Sequence, residues 1–167
     1  TVDSVSTSAD SSSGGLDVDD NSTVSSLSVA HITPVSIASG KTLSGAITVT
    51  AGSLQLDERG TLASTVSMSG GTLDADNSLT VSGALTQSGN ITIDVADTKT
   101  LTFSTGEIET QAYQLTLAGA GTIAFPANAS GIVVNDAAGL LKLEGTGTLG
   151  AAQVTTASDA GKGLAVN

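Results

Sequence analysis

The acidic side chains of this sequence come in clusters. Asp17, Asp19 and Asp20 precede Asn21, and Asp74 and Asp76 precede Asn77. Asp-x-Asp followed by Asn places hard oxygen donors at a turn, the kind of set that holds Ca²⁺. The two clusters occupy equivalent places in two similar segments, GGLDVDDNSTVS (Gly14–Ser25) and GTLDADNSLTVS (Gly71–Ser82). Neither has the glycine and distal Glu of an EF-hand loop, nor the GGxGxD nonapeptide of calcium-binding repeats. Asp and Asn also shape tight turns by bonding their own backbone. The plain turn is the favoured reading, and calcium is the one cofactor these five aspartates suggest.

Other polar groups carry less. Asp57-Glu58-Arg59 and the pair Glu107 and Glu109 are the remaining dense charged spots. Paired carboxylates in a groove could cleave glycosidic bonds. Sugar-cleaving grooves also use aromatic platforms, and only Phe103, Tyr113 and Phe125 are available, so the chain reads as a non-enzyme. His31 has no evident partner and reads as a turn or interface residue. Thr-x-Thr pairs stand at Thr48/Thr50, Thr98/Thr100/Thr102 and Thr146/Thr148. A regular threonine array can order water and bind ice. These pairs do not recur at one fixed period, so a solvated strand face is expected and no continuous array. Asn21-Ser-Thr, Asn90-Ile-Thr and Asn128-Ala-Ser match the glycosylation sequon. Serine and threonine are abundant enough that chance produces such matches.

Composition narrows the classes further. The 167 residues contain no Cys and one His, which excludes a disulfide scaffold, a thiolate zinc site and a His-rich metal cluster. Sixteen acids against five bases give a net charge of −11, which repels nucleic-acid backbones. No apolar run approaches the roughly 20 residues needed to span a membrane as a helix. The start at Thr1 reads as a mature form or a fragment. Ser and Thr exceed a quarter of the chain, yet 39% of residues are hydrophobic and mean hydropathy is +0.25, which argues for a fold.

The elements that must position these groups are short strands. Apolar residues alternate with polar ones in bursts such as Val35-Ser-Ile37, Leu54-Gln-Leu56, Leu79-Thr-Val81, Ile91-Thr-Ile93 and Leu115-Thr-Leu117. That period of two marks a half-buried strand. No stretch holds helical spacing. A Gly-x-(Leu/Ile) step recurs at Gly52, Gly71, Gly89, Gly106, Gly121 and Gly139, at offsets of 19, 18, 17, 15 and 18. About 18 residues suffice for three short strands and three turns, one coil of a parallel β-solenoid. Stacked coils bury a column of aliphatic side chains, each worth roughly 1.5–3 kcal/mol. The expected inward ladder is Leu54, Leu73, Ile91, Ile108, Ile123 and Leu141. The scarcity of aromatics follows if so narrow a coil excludes rings. An antiparallel β-sandwich, pilin- or immunoglobulin-like, is the alternative. The expected division is a polar arm over 1–13 that could exchange between subunits, a solenoid over 14–155, and a contact segment over 156–167.

The segments GSLQLDERGTLAS, GGTLDADNSLTVSGALTQSG and GNITIDVADTKTLTFSTG resemble the parallel β-helix shafts of filamentous-haemagglutinin-type and autotransporter-type bacterial surface adhesins. The resemblance covers about Gly14–Leu149. It implies an extracellular, elongated, structural or adhesive protein, and it brings no catalytic residues. Two functions are expected from it. One is a structural protein that assembles with copies of itself, end to end or by strand exchange, into a surface filament or adhesin stalk. The other is an adhesin or phage-fibre module recognising a cell-surface glycan or receptor.

Overall fold

Strands of alternating pattern wind into a column of stacked coils, because a single coil leaves its apolar side chains in water and only a neighbour can cover them. The computed structural model describes residues 5–6, 15–57, 59–105, 107–127, 131–134, 138–150, 154–156 and 164–166. All 21 strands among them pair in parallel, and no helix occurs among the described residues. The fold is a parallel β-solenoid, and the antiparallel sandwich is excluded.

Three faces make each full coil. The first face stacks Leu16–Val18, Thr33–Ile37, Ser53–Leu56, Thr72–Ala75, Ile91–Val95, Gln114–Gly119, Leu140–Leu143 and Leu164–Val166 in one eight-stranded sheet. The second stacks the first halves of Ser22–Val29 and Thr42–Val49, then Thr61–Leu62, Leu79–Val81, Thr100–Phe103, Thr122–Ala124 and Thr148–Gly150. The third begins with the second halves of Ser22–Val29 and Thr42–Val49 and continues through Thr65–Met68 and Leu85–Gln87. A separate ladder of Glu107–Glu109, Gly131–Val134 and Val154–Thr156 follows. Val5–Ser6 pairs with Leu27–Ser28, and Leu164–Val166 with Leu141–Leu143, so the chain's own sheets take in strands from both the expected arm and the expected contact segment.

The coils are longer than the expected 18 residues and unequal. Register partners on the first face lie 19 to 21 residues apart before Ile91 and 23 to 26 apart after it. This inequality redistributes the expected ladder. Leu54 and Leu73 are paired, but Leu73 faces Ile93 rather than Ile91. Ile91 begins a parallel row with Leu115 and Leu141. Ile108 belongs to the third face, paired with Ile132, and Ile123 to the second, between Leu101 and Leu149. All six side chains are buried, at 0–4% exposure, so the inward phase is as expected while the single ladder is not. The reason is local: a glycine turn followed by an inward aliphatic recurs at every corner of a three-sided coil, not at one.

The core also holds rings. Phe103 and Phe125 lie inside and stack with centroids 5.4 Å apart, in the stretch where the coils widen. The expectation that the coil excludes aromatics fails there because the added residues enlarge the cross-section. Where the coil is tight, glycine is required. Gly45 (φ +120°) sits opposite the bulge between Val24 and Leu27, and a Cβ there would lie 1.8 Å from the Val24 carbonyl oxygen.

Corners that turn the backbone away from the ladder are completed by side chains. The Thr42 N–H donates to Asn21 Oδ1 (3.0 Å), the Thr100 N–H to Ser78 Oγ (3.0 Å) and the Gln114 N–H to Asn90 Oδ1 (2.9 Å). Each of these bonds gives a corner amide a side-chain acceptor, two of them at exposed positions and one part-buried.

Candidate functional site

Three surface features result from this register. The first is a column of acids. Gln55, Asp74 and Asp94 are direct partners on consecutive first-face strands. Parallel partners sit about 4.8 Å apart. Burial, and then the nearby Asp76, Asp94 and Asp57, push the Asp74 carboxyl up to about 6. Asp76 accepts a hydrogen bond from Gln55 Nε2 (2.5 Å). Asp17 lies higher up, paired with Ser36, and Asp20 is held by Lys41 at 2.9 Å, which lowers its carboxyl pKa. The five aspartates suggested for calcium therefore divide into two separate groups. Among the described residues no three His, Asp or Glu side chains are placed to hold a metal ion.

The second feature is a seam in the third face. Leu85–Gln87 pairs with Thr65–Met68 above, and Glu107–Glu109 with Gly131–Val134 below. Among the described residues no ladder joins the two halves. Gln87, 6% exposed, spans the seam through its Nε2, which donates to the Thr110 carbonyl at 2.8 Å. Its Oε1 is buried without a hydrogen-bond partner. A cleft of about 420 Å³ opens here, lined by Thr86, Gln87, Glu107, Glu109, Gln111 and Tyr113. Gln111, at φ +51°, donates from Nε2 to Glu109 Oε2 (2.6 Å), and Tyr113 is 36% exposed. The suggested pair Glu107 and Glu109 thus joins the otherwise isolated Tyr113. Gln87 escaped sequence reasoning, although a polar residue in the inward phase of Leu85-Thr-Gln87 was the signal.

The third feature overturns an expectation. Threonines do form continuous columns. Thr42, Thr61, Thr80 and Thr102 are successive register partners on the second face. Thr100, Thr122 and Thr148 form a second column, headed by Ser78, that overlaps the first at Ser78/Thr80 and Thr100/Thr102 and continues beyond it. The steps are 19, 19 and 22 residues in one column and 22 and 26 in the other, so no fixed period reveals them. Thr122 Oγ1 and Thr148 Oγ1 share a hydrogen bond of 2.8 Å. Of the noted pairs, Thr100 and Thr102 contribute to both columns and Thr148 to one. Thr48 lies on the third face and Thr50 in the bend that follows it, while Thr98 (φ +63°) and Thr146 sit in turns.

The remaining candidates are structural in place. His31 occupies a corner where Gly52 packs against its backbone. Asp57 and Arg59 border a shallow depression with Ser39 and Asn77, and Asn77 Nδ2 donates to the Asp57 carbonyl. Asn21 and Asn90 are exposed, with each Oδ1 committed to a corner amide; Glu58 and Asn128 lie outside the described residues.

Comparison with protein families, characterised proteins and solved structures yields no match. The fold is assigned on its own geometry.

Proposed function

We propose that the protein is an extracellular structural element, one segment of a surface filament or adhesin stalk that grows by end-to-end association of copies. The observation that carries this reading is the unbroken first-face sheet, eight parallel strands whose outermost members, Leu16–Val18 and Leu164–Val166, are each paired on one side only within the described chain. An open parallel edge is a template for the next strand. A further coil from another copy extends both the hydrogen-bond ladder and the aliphatic column, and such a contact does not close. The shaft resists bending because the first and second faces bond coil to coil without a break among the described residues. The serine- and threonine-rich composition suits an extracellular setting. Electron microscopy of the purified chain tests the reading. Uniform fibres one coil wide are expected, and a chain that stays monomeric at every concentration overturns self-assembly.

A second reading rests on the seam. The ring of Tyr113 and the acceptors Glu107, Glu109 and Gln87 together offer an apolar face and hydroxyl-binding groups, which suits a glycan. Glycan-array binding that Tyr113→Ala abolishes would support it, and an array without signal would dismiss it.

A further inference from the structure

We propose that the second face binds ice, through its two staggered threonine columns. The columns place hydroxyl and methyl groups at about 4.8 Å along the stack and about 6.6 Å between alternate residues of a strand. Thr42, Thr61, Thr80 and Thr102 form one line and Ser78, Thr100, Thr122 and Thr148 the other; the two are staggered along the stack and run side by side at Ser78/Thr80 and Thr100/Thr102, beyond which Thr102 is followed by Ala124 and Gly150. Their positions are fixed twice over. The backbone is locked in a sheet, and a β-branched side chain has few χ1 wells to choose from. Little conformational entropy remains to be lost when the array meets an ordered partner.

Two further observations specify water as that partner. Among the strands of this face, Thr42–Val49, Thr61–Leu62, Leu79–Val81, Thr100–Phe103, Thr122–Ala124 and Thr148–Gly150 carry no charged residue, although the chain has 16 acids and five bases. Charged groups hold hydration shells of their own geometry, so strands without them leave the threonines to set the water positions along the columns. Beside Thr61, Ser78, Thr80, Thr100 and Thr102 runs an open trough of about 290 Å³, and Arg59 is the one charged residue in its lining. At about 30 Å³ per molecule, that trough seats a file of waters. Waters bridging hydroxyls at regular spacing bind nearly as well as direct hydrogen bonds. A two-dimensional array of them presents the crystal with a surface already in register.

Nanolitre osmometry on the intact chain tests this. The wild type is expected to shape ice crystals and hold freezing below melting. The double variant Thr80→Tyr, Thr102→Tyr is expected to lose that gap, because rings break the plane. Thr80→Val with Thr102→Val keeps shape and removes hydroxyls, so it separates lost flatness from lost hydroxyls and is expected to reduce the gap. Thr48→Tyr, on the exposed third face, is expected to retain it. Circular dichroism melts check that each variant folds. A wild type with no gap overturns the proposal, as does equal loss in Thr48→Tyr. Sedimentation showing a pairing of copies that Thr80→Tyr breaks, without any gap, would assign the face to self-packing instead.

Discussion

At the scale of single residues, the clearest consequence concerns Asp74. It stands between Gln55 and Asp94 in the ladder, with Asp57 and Asp76 nearby, and its carboxyl titrates near 6 against an ordinary 3.8. An acid with a raised folded pKa is penalised while charged. Its favourable contribution is full below about 3.8 and is lost as pH rises through about 6. Asp74→Asn is therefore expected to stabilise the fold at pH 7 by about 1 kcal/mol, the full conversion being reduced because the side chain is only partly buried and still screened by solvent. The gain should vanish at pH 3.5. Urea melts at the two pH values measure it, and equal gains at both would show that the neighbouring carboxylates are not the cause. Asp20 shows the converse: its Lys41 partner favours the charged form, so no relief is expected from neutralising it.

At the scale of strands, the register is what can be tested. Leu73 and Ile93 are direct partners, whereas Ile108 lies on another face. Leu73→Ala and Ile93→Ala should each cost about 2–5 kcal/mol, since both are fully buried. Their double mutant should depart from additivity by 0.5 kcal/mol or more, while Leu73→Ala with Ile108→Ala should add within about 0.5 kcal/mol. Equal coupling in both pairs would refute the register. The same comparison shows what the sequence could convey. Alternation in Leu54-Gln-Leu56 or Ile91-Thr-Ile93 announces strands and their inward phase, because burial is decided locally. The stacking partner is decided by coil length, and turns as different as Ala96–Lys99 and Gly70–Gly71 change it without altering any strand. The threonine columns were hidden for that reason, each step having its own length. The seam was hidden because it consists of a pairing that does not occur, which no residue advertises except Gln87.

At the scale of the molecule, charge is sorted by side. Apart from Glu107 and Glu109, every described charged residue lies on the first face or in the turn that follows it. The strands of the second face carry hydroxyl and methyl groups and no charge, and so can approach an uncharged lattice, or a copy of the same face, at little electrostatic cost. The aliphatic column and the ladder meanwhile make each coil depend only on its neighbours. Because every pairing is parallel, all coils advance in one direction. Any stack that continues the ladder therefore has polarity: its two tips are chemically unlike, one presenting the leading strand edge and the other the trailing one. Copies must add head to tail, growth proceeds at different rates at the two tips, and a cell holding one tip would fix which way the whole assembly points.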